Sequence, residues 1–163
     1  MNSFSSFDIK RILGINIDLL KDYRRFGYIT PSIQEADGRG TKSLYSFGDL
    51  CRIVLFRQLV DRGFAREKAA EIIRIIFSVT SKPYFESKNF GEQAFYVAVI
   101  TRDESNDTGV AFIPEKAFSN SFEKIFLRVD DIHKTKDVSE LSFGSAIVLN
   151  LKKVRDFVTS KID

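Results

Sequence analysis

A chain of 163 residues, 44% hydrophobic and 29% charged, has the composition of an ordinary folded protein of one or two domains. A single cysteine, Cys51, excludes a disulfide framework among these residues, and no stretch approaches the roughly 18–20 apolar residues of a membrane span. Net charge is only +3, but it is uneven: residues 1–80 carry 13 Lys and Arg against 9 Asp and Glu, and residues 81–163 carry 12 against 13. The opening MNSFSSFDIK lacks an apolar core of signal-peptide length, so the expected location is the cytoplasm.

The basic half opens with two short helical patterns. Ile9, Ile12 and Leu13 fall at the i, i+3, i+4 spacing of one apolar helix face. Gly14 permits the left-handed conformation that ends a helix, and Asn16 is suited to cap the next. From Ile17 a second apolar stripe runs through Leu20, Tyr23 and Phe26, while Asp18, Lys21, Asp22, Arg24 and Arg25 take the opposite face and Gly27 closes the helix. Helix, glycine turn, and a second helix with cations on its exposed face is the layout of a helix-turn-helix, whose second helix enters a DNA major groove.

Beyond Gly27 the chain reads as extended. Ile29 to Pro31 is expected to start a strand, and Asp37-Gly38 followed by Gly40 marks a turn, so residues 29–46 read as a β-hairpin wing. Arg39, Thr41, Lys42 and Ser43 fall near its tip or on its second strand, a Gly-flanked basic segment suited to phosphate. Ser46 is placed to cap a third helix, about Phe47 to Arg62, with Leu50, Ile53, Val54, Leu59 and Val60 as its apolar face. After Gly63, a fourth helix over about Arg66 to Ser78 directs Ala69, Ile72, Ile73, Ile76 and Phe77 inward.

Composition shifts at Thr80-Ser81-Lys82-Pro83, which places a boundary between there and about Gly91. Residues 94–102 and 110–114 read as two strands joined by the turn 105–109. A short helix at 115–120, a strand at 123–130 and a loop or irregular helix over 131–144 follow. The apolar run 145–151 suggests a strand covered on both faces. Residues 152–162 form an amphipathic helix with Val154, Phe157, Val158 and Ile162 inward. The fold class is therefore α+β: a winged helix-turn-helix over 1–80 (four helices plus a β-hairpin wing) and a small α/β domain over 92–163 for dimerisation or effector binding.

Residues 7–78 resemble the DNA-binding domain of the MerR family of transcriptional regulators, a winged-helix module. The resemblance is carried by Leu13-Gly14 at the turn and by Leu20, Tyr23, Arg25, Gly27, Ile29 and Pro31 through the second helix. Leu44-Tyr45-Ser46, Asp49-Leu50 and Arg62-Gly63-Phe64 match in the same order, and GRGTKSLYSF resembles a GRG-type wing. The resemblance implies a homodimer on a pseudo-palindromic promoter site in double-stranded DNA, with RNA polymerase a candidate further partner and no membrane. It places Lys21 and Tyr23 where a basic and an aromatic residue commonly contact DNA. The sequence departs from the family where Asp18 replaces a frequent arginine, where Arg24 replaces a frequent acid, and where Lys42-Ser43 replaces a Tyr-Arg pair. Pro83 and Tyr84-Phe85 also interrupt the long heptad helix by which typical members dimerise.

The expected DNA-binding residues are thus Lys21, Tyr23, Arg24, Arg25, Arg39, Thr41, Lys42, Ser43, Tyr45 and Arg66, with core packing the favoured role of Tyr45. Cys51 and the single histidine, His133, do not make a soft-ligand metal site, and no nucleophile elbow, phosphate loop or dinucleotide fingerprint is present. Neither enzymatic activity nor a cofactor is expected. Two other functions suit the same pattern: an excisionase-like architectural DNA-binding factor, and a protein-interaction adaptor on a winged-helix scaffold.

Overall fold

A computed structural model describes residues 3–38, 40–79, 95–102, 108–114 and 143–162. The chain divides into two compact units, one of Met1–Lys88 with Lys153–Asp163 and one of Asn89–Lys152. The sequence reading put the last helix with the second domain; in this division Lys153–Asp163 goes with the first.

The first unit opens with strand β1, Phe4–Ser5, which pairs antiparallel with β2, Leu44–Tyr45, setting Phe4 opposite Tyr45. Helix α1, Ser6–Leu13, begins in a capping box: the Ser5 hydroxyl oxygen accepts the Asp8 N–H at 3.3 Å, and the Asp8 carboxylate accepts the Ser5 N–H at 2.9 Å. It ends where Gly14 turns left-handed at φ 66° and donates its N–H to the Lys10 carbonyl. Asn16 then caps α2, Ile17–Arg25, its side-chain oxygen accepting the Asp18 N–H at 2.9 Å.

The strand expected at Ile29 to Pro31 does not form. The Tyr23 carbonyl takes both the Tyr28 and Ile29 N–H groups, and Pro31 has none to offer, so this segment lacks donors for a ladder.

Helix α3, Phe47–Val60, has its own capping box from Ser46 and Asp49. The sequence suggested one apolar stripe, but Cys51, Leu55 and Phe56 are buried as fully as Leu50, Ile53 and Leu59, whereas Val54 and Val60 are only half-buried. The cause is position. Tyr23 of α2 meets Phe56 edge-on at 4.8 Å between centroids, and helix α4, Arg66–Val79, brings Phe77 against Arg52 at 4.5 Å. The Arg155 charge of helix α5, Leu151–Ile162, is felt at Cys51. A helix covered from several sides buries more than one face. On α4, Ala69, Ala70, Ile72, Ile73 and Ile76 are buried and Phe77 is half-buried. On α5, Leu151, Val154 and Val158 form the buried stripe. Phe157, expected inward, is 45% exposed because it lies off the edge of that i, i+3, i+7 row, with the Lys161 ammonium 5.8 Å from its ring.

In the second unit, β3 (Phe95–Arg102), β4 (Thr108–Pro114) and β5 (Phe143–Asn150) form an antiparallel sheet in the order β4-β3-β5. Val97 stands opposite Phe112 on one side and Leu149 on the other, and the register shifts between Thr101 and Arg102. Val97, Ala98 and Val99 are buried in succession, so β3 is covered on both faces there. Over Ile147–Asn150 of β5, only Leu149 is buried and its neighbours are half-buried, less cover than the apolar run suggested. The helix expected at 115–120, the strand at 123–130, the segment 131–144 and His133 lie outside the described residues.

Candidate nucleic-acid interface

Because Leu20 and Tyr23 anchor α2 in the core, the helix turns Asp18, Lys21, Asp22, Arg24 and Arg25 outward. Together with Glu35 these five residues line an open groove between the helix and the loop that follows it. The cations on this face already have partners. The Lys21 ammonium lies 2.9 Å from the Asp18 carboxylate, and the Arg25 guanidinium 3.2 Å from that of Asp22, each one helical turn away. Arg25 also lies over the Phe26 ring, 4.7 Å from its centroid. Arg24 donates to the hydroxyl oxygen of Ser43, which is itself buried, tying the helix to the base of the loop.

That loop is less regular than a two-stranded wing. The Leu44 N–H donates to the Gln34 carbonyl at 2.8 Å, and the Leu44 carbonyl accepts from Ile33 and Gln34, which makes a single antiparallel bridge. Gly38 and Gly40 then take positive φ, 77° and 94°, and the Thr41 hydroxyl turns inward to the Gly38 carbonyl. Apart from that bridge, the described residues 35–38 and 40–43 show no strand pairing. The hairpin expected over 29–46 is therefore a loop pinned at its base. Among its expected contact residues, Lys42 is exposed, Thr41 is exposed with its hydroxyl donated to Gly38, and Arg39 lies outside the described residues.

Tyr23 and Ser43, expected at DNA, are core residues, and Tyr45 takes the core-packing role favoured for it. Tyr23 is 4% exposed against Phe56, Tyr45 is 1% exposed in the β1–β2 pair, and Ser43 is 4% exposed. Burial comes first among the causes that push both phenols above their ordinary pKa. Tyr45 also lies in a strand pair that the sequence reading did not foresee, with Phe4 of the two-residue strand Phe4–Ser5 opposite it. Arg66 is exposed at the first turn of α4, and its charge reaches Tyr23 and Tyr28.

The sequence reading also missed what holds the loop to the domain. The Asp49 carboxylate is fully buried and accepts the Ser46 N–H at 2.9 Å, the Ser32 N–H at 2.8 Å and the Ser32 hydroxyl at 2.7 Å, while Arg52 donates to its other oxygen at 3.1 Å. The sequence signalled Ser46 as a cap but not its reciprocal bond with Asp49. Ser32, 17 residues from Asp49, carried no local signal.

A glycine-turned helix pair, with an exposed charged face on its second helix and a glycine-bearing loop tied beside it, has the layout of a helix-turn-helix segment. Residues 4–74 match the model of the MerR HTH family of regulatory proteins, and this part of the chain is a MerR-family helix-turn-helix segment. The match supports a DNA-binding transcription regulator. No curated protein matches the chain closely enough to count as a relative. Among the described residues, no helix is long and apolar enough to cross a membrane, and no three His, Cys, Asp or Glu side chains gather where a metal ion would be held.

Proposed function

We propose that the protein is a sequence-specific transcriptional regulator that binds, as a homodimer, an inverted-repeat promoter site in double-stranded DNA. In this reading α2 enters the major groove, Lys21, Arg24 and Arg25 reach base edges or adjacent phosphates, and the 33–44 loop with Lys42 acts as a wing on flanking backbone. Arg66 reaches a further phosphate. Residues 92–163 supply dimerisation or effector binding, the site of action is the cytoplasm, RNA polymerase is a further partner, and no catalysis is involved. The observation that carries the reading is the cation-bearing face of α2 beside a loop fixed to that same helix through Arg24 and Ser43.

The test is a salt titration of binding to random-sequence duplex DNA by fluorescence anisotropy, followed by sequencing of the bound fraction. A steep salt slope with an enriched inverted repeat is expected. A steep slope without enrichment favours the architectural reading. Absence of binding at low salt leaves the adaptor, a reading supported by the near-balanced charge of the groove, where Lys21, Arg24 and Arg25 face Asp18, Asp22 and Glu35.

A further inference from the structure

Two pairs on one helix face repeat the same arrangement. Asp18 sits three residues before Lys21 and Asp22 three before Arg25, and both pairs are closed at 2.9 and 3.2 Å. All four side chains are substantially exposed, so the pairs owe little to burial and add little to stability. Their position is what gives them consequence. They occupy the surface that, on the reading proposed above, must meet DNA, and each carboxylate holds a cation that a phosphate would otherwise recruit.

Resting on that reading, we propose that Asp18 and Asp22 are specificity-setting residues that suppress sequence-independent binding to duplex DNA. A phosphate must displace a carboxylate to gain Lys21 or Arg25, and the displaced carboxylate then stays near the polyanion. Both effects penalise any duplex that offers only backbone. Affinity for non-specific DNA comes almost wholly from cations neutralising phosphates, so an arrangement that ties up two of them acts mainly on that part of binding. Contacts to base edges are penalised less, because they gain hydrogen bonds that random sequence does not supply. Discrimination then arises by weakening the wrong complex rather than by strengthening the right one. Arg24 stands apart, since it is directed to Ser43 and has no acidic partner three residues before it.

The test uses the full chain, random-sequence duplex DNA and the variants Asp18→Asn and Asp22→Asn. Each substitution should raise affinity for the random pool several-fold and steepen the plot of log K against log salt by about 0.9, the contribution of one more phosphate contact. Removing a negative charge anywhere would raise affinity somewhat, so Asp22→Asn is repeated in an Arg25→Gln background. There the gain in slope should vanish, because the cation that Asp22 restrains is gone. Asp22 lies beyond the first turn of α2 and Asn16 still caps it, and circular dichroism verifies that each variant is folded. Unchanged or weaker binding by both variants, with the parent chain still binding, overturns the proposal and leaves the proposed function standing; weaker binding would instead make the carboxylates acceptors for a base. An equal gain with and without Arg25 also overturns it. If neither parent nor variants bind, the DNA reading itself fails and the proposal with it.

Discussion

Asp49, at the start of α3, accepts the backbone N–H of Ser32 at 2.8 Å and its hydroxyl at 2.7 Å, joining the chain just after the helix-turn-helix to the helix that carries the core. The same carboxylate closes the Ser46 capping box and receives Arg52, so one buried group fixes both ends of the loop that runs from Ser32 to Ser46.

Asp49→Ala should therefore cost about 3 kcal/mol, because it strands several donors in a buried place and each unsatisfied buried donor costs about 1–3 kcal/mol. Ser32→Ala, which keeps the capping box, should cost about 1 kcal/mol. Urea melts of each single variant and of the double check this. The double should cost less than the sum of the singles, since both remove the bond from the Ser32 hydroxyl to Asp49.

Gly14 forms the turn between α1 and α2 at φ 66°, with open space where a Cβ would stand. Gly14→Ala meets no clash, so its cost is the left-handed backbone alone, about 1–2 kcal/mol, and Gly14→Asn should cost less. Thermal melts that show the two variants equally stable would mean that the turn relaxes away from the left-handed conformation.

Cys51 is fully buried on α3, and burial pushes its thiol far above the usual range, with Arg155 opposing in small part. The thiol stays protonated across the physiological range. Labelling by a disulfide reagent should be negligible in the folded protein and complete in denaturant. Fast labelling under native conditions would show that the core around α3 opens readily.

Two carboxylates are held below their ordinary range by hydroxyl donors: Asp8 first by the Ser5 side chain and then by the Ser5 N–H, and Glu67 first by the Tyr28 phenol. A depressed folded-state pKa stabilises the fold above the unfolded value, about 3.9 for Asp and 4.3 for Glu, and that contribution is lost as pH falls through the lower, folded value. Acid unfolding of Asp8→Asn should show a shallower loss of stability in that window than the parent. In Tyr28→Phe, NMR titration should find Glu67 closer to its ordinary pKa. No movement of Glu67 would place the phenol elsewhere in solution.

By itself the sequence determined the local elements of the first unit. Asn16 and Ser46 as caps, Gly14, Gly27 and Gly63 as ends, and the apolar spacing of α1 and α2 are governed by backbone groups within a turn or two of the side chains concerned, so they are legible from neighbours in the chain. The charged face of α2 was legible for the same reason, its period being set by helix geometry. What tertiary structure decided were the relations between residues far apart in sequence. Phe4–Ser5 pairs with Leu44–Tyr45 while Tyr45 is buried; Ser43 sinks beneath Arg24; Ser32 docks on Asp49; and α3 meets both α2 and α4, so it has no single inner face. None of these leaves a periodic trace, because a long-range contact depends on which surfaces meet, whereas a cap or an amphipathic stripe depends only on the turn it sits in.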